Sequence, residues 1–373
     1  MSKGPLNMGF QCGIVGLPNV GKSTIYNALT SNKAAASNFP FCTIEPNRGI
    51  VNVPDSRLAK IAEFIPPQKL IPTNMVFVDI AGLVAGASRG EGLGNKFLGH
   101  IRETNAIAHV VRCFEDEEIV HVDGSVNPIR DIEVIELELI FADQDSVSKR
   151  IQTLVKKARG ADKDAIKTLA VLEKVLPVLE EGQPVRSMDL DEEEVGLIRD
   201  LHLITQKPCL YIANVDEADL AHPAQNEHYL KVATYAAARN AEVVALCGSI
   251  EAELAELDGQ DKEEFLADLG LAESGLNRVI RAGYKLLNLC TYFTAGEKEV
   301  RAWTFHQGYR APQAAGVIHT DFERGFIKTD VYHFETLMQH RSEQAVKEAG
   351  LMRLEGKSYV VQDGDIMHFR FSV

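Results

Sequence analysis

Four short apolar runs, at residues 12–15, 48–53, 75–79 and 106–113, alternate with segments of helical period, and Gly or Pro stands at the breaks. That alternation predicts an α/β domain with a mostly parallel sheet. The texture changes near Asn127-Pro128. Residues 131–156 read as a charged amphipathic helix, with Leu137, Ile140, Val147, Ile151 and Leu154 recurring on one side. A break at Gly160 precedes a second such helix over 165–179, so the pair reads as an antiparallel, coiled-coil-like hairpin ending near Gly182-Gln183-Pro184. Strand patterns return at 208–214 and 242–247, which makes the hairpin an insertion into the first domain. Past about Cys290 short strands follow, including 300–305 and 359–361. Residues 356–371 read as two strands joined at Asp363-Gly364, resembling a small β-grasp module.

The first apolar run leads directly into Gly16-Leu17-Pro18-Asn19-Val20-Gly21-Lys22-Ser23, and Thr24-Ile25-Tyr26-Asn27 continues as a helix. This strand–loop–helix setting is what the G-x-x-x-x-G-K-S/T pattern requires to act as a phosphate loop. Backbone N–H groups around Asn19, Val20, Gly21 and Thr24 would face phosphate oxygens at a helix N-terminus. Lys22 would reach the β- and γ-phosphates, and Ser23 would hold Mg²⁺. A nucleoside triphosphate site is the expectation.

Composition narrows this little. The chain has 373 residues, 45% apolar and 25% charged, enough for two or three domains of a soluble protein. No apolar stretch approaches a membrane span, and residues 1–7 lack a signal-peptide core. Six scattered cysteines without a C-x-x-C pair suggest reduced thiols in a cytoplasmic protein. A net charge of −14 argues against coating of nucleic acid, while leaving room for a local basic patch.

Further motifs separate the triphosphate-binding classes. Asp79-Ile80-Ala81-Gly82 ends an apolar strand in D-x-x-G form: Asp79 would reach Mg²⁺ through water, and the Gly82 N–H would contact the γ-phosphate. Between the two motifs, Thr43 is the candidate second hydroxyl for Mg²⁺. Where a guanine site shows Asn-Lys-x-Asp, this chain has Asn214-Val215-Asp216-Glu217. Glu217 is a methylene longer than the Asp that reads guanine, and Val215 is apolar, so guanine preference should weaken. Asn214 suits the amino and N7 edge of adenine. Phe114 with Val215 could sandwich the ring. A harmless variant that still binds GTP is the competing reading.

These residues, with Asn38–Asn47, the run from Asp79 to Gly94 and Asp363-Gly364-Asp365, resemble the YchF/Obg-like ATPase family, a branch of the Obg-related translation-factor P-loop NTPases. The resemblance covers nearly the whole chain. It implies a G domain (8–130 and 203–285), an inserted helical domain (131–202) and a C-terminal TGS domain (286–371). It also implies ATP hydrolysis, weaker use of GTP, and association with the ribosome, with the TGS and helical domains as the expected contacts.

Leu83 follows D-x-x-G and cannot orient water, so another group must. His121, on the loop leaving the carboxyl end of the fourth run, is the candidate, since ligands of open sheets collect at that edge. The family is likewise thought to use a mobile histidine there. His109 and His100 read as structural or surface groups. Family members with Asn at position 19 and an apolar residue after D-x-x-G often recruit K⁺, so Asn19 is a candidate K⁺ ligand. The terminal module carries Lys298, Arg301, Arg310, Arg324 and Lys328 among its basic residues, either an RNA-facing surface or an ordinary exterior. Two readings stay open: an ATPase switch on the ribosome, and a nucleotide-gated binding module in which hydrolysis is secondary. A small-molecule kinase fits poorly, for no Arg-rich lid follows.

Overall fold

In the computed structural model, which describes residues 10–31, 47–80, 93–122 and 124–372, β1 (Gln11–Val15) lies between two parallel partners. These are β4 (Asn74–Asp79) and β5 (Ala106–Arg112). With β2 (Arg48–Asn52), β6 (Cys209–Asn214) and β7 (Glu242–Leu246) they form a six-stranded sheet in the order β2-β4-β1-β5-β6-β7. Every residue of β1, β5 and β6 is buried, as expected of parallel strands covered on both faces. The chain winds from β1 toward β4 and then crosses to β5. The carboxyl ends of β1 and β5 therefore frame the point where the winding reverses, the usual place for a ligand.

The predicted hairpin is present as helices Pro128–Ala158 and Lys163–Glu180. Asn127 caps the first through the Arg130 N–H, with Pro128 in the opening turn, and Asp162 caps the second. Ile140, Val147 and Leu154 meet Val171, Leu172, Val175 and Leu179 in one buried cluster. Leu137 departs from the expected apolar stripe, being 40% exposed. The second helix ends at Glu180, and the turn at Gly182 lies beside Leu137. From the first helix the buried Asp143 carboxylate accepts the N–H groups of Ile204 and Thr205 at 2.9 and 2.7 Å, fastening the hairpin to the segment that returns to β6.

By its internal contacts the chain divides into two compact units. One holds Val76–Val279 together with β1 and the helix after it. The other joins Ile50–Met75 to Ile280–Val373. In this second unit β3 (Lys69–Ile71) pairs in parallel with β9 (Glu299–His306), at the edge of a sheet ordered β11-β10-β12-β8-β9-β3. The other members are β8 (Leu289–Ala295), β10 (Phe326–His333), β11 (Arg353–Glu355) and β12 (Asp365–Phe371). The helix Ser56–Phe64 buries Leu58 and Ile61 against Phe293, Val300, Tyr332, Leu337 and Ile366.

One expectation for this unit is corrected. Residues 359–361 form no strand paired with β12. Their backbone bonds go to Tyr309 and Ala311, and β12 pairs instead with β10 and β8. The Asp363-Gly364 turn leads into β12, with Gly364 at φ 89°. Among the described residues, no helix is long and apolar enough to cross a membrane.

Candidate functional site

The loop from Gly16 to Gly21 bends where side chains cannot fit. A Cβ on Gly16 would stand 2.5 Å from the carbonyl oxygen of Val110 in β5. Gly21, at φ 94°, would place a Cβ 2.3 Å from Nδ2 of Asn214. The loop ends at Gly21, which precedes the helix Lys22–Thr30 with no side-chain cap. The first N–H groups of that helix are thus left for an anion. Lys22 is buried, and its ammonium donates to the carbonyl oxygen of Leu17 at 2.5 Å, back across the loop. Burial lowers its pKa to about 8, against the opposing pull of the Asp79 carboxylate.

Asp79 closes β4. Burial raises its carboxyl above the ordinary value, the charge of Lys22 opposes this, and Oδ1 is buried without a hydrogen-bond partner. A buried acceptor with no donor among the described residues, within reach of the Lys22 charge, suits a hydrated divalent cation. Thr43, Gly82 and Leu83 lie outside the described residues.

A cleft of about 490 Å³ gathers most of the predicted residues: Asn19, Gly21, Lys22, Ser23 and Thr24 from the loop and its helix, with Phe114, Asn214 and Val215 from the ends of β5 and β6. Val20 is buried beneath the loop. Glu217 is exposed at the start of the helix Glu217–Leu220 and is not among the lining residues.

Asn214, expected at the base, lines the cleft with both amide heteroatoms already bonded to the protein, each keeping one further site, an N–H and a lone pair. Nδ2 donates to the carbonyl oxygen of Val20 at 3.0 Å, and Oδ1 accepts the Gly248 N–H at 2.9 Å. Asn214 is 5% exposed and clamps the phosphate loop to the start of the helix Gly248–Glu256 that follows β7. Cys247, Gly248 and Ser249 there also line the cleft, as do Asp116, Ile119 and Asp216. None of these was singled out from sequence. Partial burial raises the Asp216 carboxyl, and Asp219 and Asp116 add to the shift.

Arg112 was missed as well. It is the last residue of β5 and 1% exposed, with its guanidinium 4.5 Å from the ring of Phe114. The available signal was a lone cation at the end of an apolar run.

His121 lies apart from this cleft. Its Nε2 is 2.8 Å from Asp131 Oδ2 in the first turn of the hairpin, and its side chain is 6% exposed. It lines a neighbouring hollow of about 440 Å³. The loop that bears it reaches the phosphate side through Asn19, whose Nδ2 donates to the carbonyl oxygen of Val120 at 3.1 Å. His109 is buried within β5, and desolvation drives its pKa down to about 3, which fits a neutral packing role. His100 is exposed on the helix Leu93–Glu103. Among the described residues, no group of three or more His, Cys, Asp or Glu side chains could hold a metal ion.

The comparisons with known proteins bear on the whole chain. A family model described as "50S ribosome-binding GTPase" matches residues 11–174. A model of the YchF-type GTPase C-terminal region, described as a protein of unknown function, matches residues 289–372. The chain is 59% identical over 367 residues to "Ribosome-binding ATPase YchF" of Pasteurella multocida, covering 98% of this chain and 100% of the relative. It is 55% identical over 366 residues to the protein of the same name from Bacillus subtilis, again 98% and 100%. The solved structure described as the Schizosaccharomyces pombe YchF GTPase superposes with a TM-score of 0.86 at 40% identity, covering 97% of each chain. With its phosphate loop, parallel sheet and C-terminal unit all matched at such identity over nearly its full length, the chain belongs to the YchF family of P-loop NTPases.

Proposed function

We propose that this protein binds and hydrolyses ATP as a switch and associates with the ribosome according to its nucleotide state. The observation that carries the nucleotide part is that one cleft joins Lys22 and Ser23 to Phe114 and Val215. A triphosphate at the helix N-terminus would place its base between the last two. Preference for adenine rests on two features. Val215 puts an apolar side chain in the lining, and the Glu217 carboxylate at the fourth motif position lies outside it, away from where guanine's N1–H and 2-amino donors would need an acceptor.

Ser23 and Asp79 fit Mg²⁺, with Thr43 as a further hydroxyl, and such an ion would screen charge developing on the β- and γ-phosphates. The chain's own residues supply the rest. The Lys22 ammonium is held by Leu17 until phosphate oxygens replace that carbonyl. The loop amides bind oxygens without having to reorganise. His121 is the proposed group that positions the attacking water, for which it must leave Asp131. Asn19 is a proposed K⁺ ligand through Oδ1, since its Nδ2 already serves Val120.

Ribosome association comes from the names of the relatives, and the hairpin and the C-terminal unit are the proposed contacts, RNA among them. A cytoplasmic location follows from such a partner. Titration of the Mg²⁺-loaded protein with ATP and with GTP tests the nucleotide reading, tighter binding of ATP being expected. Tight GTP binding with poor ATP binding would sink it. Co-sedimentation with ribosomes in ATP, in ADP and without nucleotide tests the rest, where a yield independent of nucleotide would rule out the switch.

A further inference from the structure

Residues 113–122, between β5 and the hairpin, form no helix or strand, yet Phe114, Asp116 and Ile119 line the base side of the cleft. A loop without a backbone ladder needs another source of shape. Here one side chain provides it. Arg112 donates from Nε to the carbonyl oxygen of Phe114 at 3.1 Å. Its two terminal nitrogens donate to the carbonyl oxygens of Ile119 at 2.8 Å and Asp116 at 3.1 Å. A buried cation is costly unless dipoles or counter-charges surround it. These three carbonyls answer that cost, and they belong to the same three residues that line the cleft. The guanidinium also lies 4.5 Å from the Phe114 ring centre, within cation–π range, so it fixes the ring as well as the backbone.

We propose that Arg112 is the positioning residue for base recognition: without touching nucleotide, it folds the loop after β5 into a cradle and holds the Phe114 ring as the surface on which the purine stacks. The proposal rests on reading the cleft as an adenine-nucleotide site. Lysine cannot replace Arg112 here, because a point-charge ammonium has no planar fork to span three carbonyls and no flat face for the ring. The far end of the loop is tied to the phosphate side by the Asn19–Val120 bond. Arg112 thus holds the segment from Phe114 to Ile119, which lines the cleft, and Asn19 takes the next carbonyl, that of Val120.

The test is calorimetric titration of the full chain with Mg²⁺ and ATP, GTP or inorganic tripolyphosphate, comparing wild type with Arg112→Lys. A general structural defect would weaken all three ligands alike. The positioning role predicts that ATP and GTP both weaken, ATP about tenfold, while tripolyphosphate is kept within about twofold. Phe114→Leu should repeat this pattern. Unchanged ATP affinity in Arg112→Lys, or parallel loss of ATP and tripolyphosphate, overturns the proposal. Should Arg112→Lys fail to fold by thermal melting, Phe114→Leu carries the same comparison, and wild-type ATP affinity there overturns it. Wild-type protein that prefers GTP would defeat the adenine reading alone. Arg112 would then still be judged by whether its replacement closes the gap between purine nucleotide and tripolyphosphate.

Discussion

Nδ2 of Asn214 donates to the carbonyl oxygen of Val20 across 3.0 Å, joining the end of β6 to the phosphate loop. Because Oδ1 accepts from Gly248, one amide fixes both neighbours of the cleft. Asn214→Ala leaves a buried carbonyl and a buried N–H without their partner, at a cost of about 1–3 kcal/mol in all. Chemical denaturation of the unliganded protein should show that loss. Weaker binding of tripolyphosphate as well as ATP should accompany it, since the loop itself is loosened. Wild-type stability in Asn214→Ala would show that the clamp carries no weight.

The same side chain makes Gly21 irreplaceable. Gly21→Ala combines a positive φ of 94° with a Cβ 2.3 Å from Asn214 Nδ2. The loop must shift, and its amides no longer converge on phosphate. The expected outcome is a loss of about 100-fold or more in ATP affinity with the sheet intact by circular dichroism. Near-normal ATP binding by this variant would contradict the geometry.

Lys22 gives a signal in proton counting. Its pKa is lowered from 10.5 to about 8 by burial. Between those values the unfolded chain holds the proton and the folded one has released it. For this group, stability of the free protein therefore rises as pH increases through that window, and the gain is absent below it. Phosphate oxygens restore the charged form, so ATP binding near pH 8 should take up about half a proton at this site. Calorimetry in buffers of different ionisation enthalpy measures the uptake. Lys207, also lowered to about 8, holds the backbone carbonyls of Arg102 and Thr104 and is not among the residues lining the cleft. The uptake should accordingly vanish in Lys22→Met with saturating ligand, and its persistence there would assign it elsewhere.

His121 and Asp131 make a prediction about rate. If His121 must leave Asp131 to position water, His121→Ala should lower kcat by about 10²-fold or more and leave ATP affinity within about twofold. Asp131→Asn, which weakens the hold on Nε2, should change kcat without a matching change in affinity. Single-turnover hydrolysis with independent binding measurements separates the two. Full turnover by His121→Ala would remove it from the mechanism.

In the second unit Arg57 donates to Asp55 and to Asp363 Oδ2, the latter at 2.7 Å, while Asp363 Oδ1 accepts the Thr291 N–H at 2.8 Å. Asp363 is about half exposed, so solvent screening limits the pair. A double-mutant cycle with Arg57→Ala and Asp363→Ala should give a coupling of about 1 kcal/mol. A coupling near zero would mean that Asp363 acts only through Thr291.

The local signals in the chain were strong where one residue type is needed for one reason. Gly16, Gly21, Lys22 and Ser23 mark the phosphate loop because few other residues permit its curvature and charge. The runs at 12–15, 75–79, 106–113 and 208–214 mark buried parallel strands because both faces of each must be largely apolar. Asn127-Pro128 and Asp162 likewise announce their helices through capping chemistry. These are properties of a residue and its near neighbours, so the sequence carries them by itself.

What depended on distant partners was not legible. Periodicity placed Leu137 on the apolar stripe, but it is 40% exposed, beside the turn at Gly182 that follows the partner helix. Residues 359–361 had the composition of a strand, and their backbone bonds went to Tyr309 and Ala311 instead. Nothing local to Leu58 and Ile61 tells that they pack against Phe293 and Ile366, far along the chain. The motif named Asn214, while the structure decided that its amide serves Val20 and Gly248. Nothing next to Arg112 tells that three carbonyl oxygens converge on it. The physical reason is common to all five. A side chain's chemistry is local, but its partner is fixed only when the whole chain has paid its conformational entropy and closed around it.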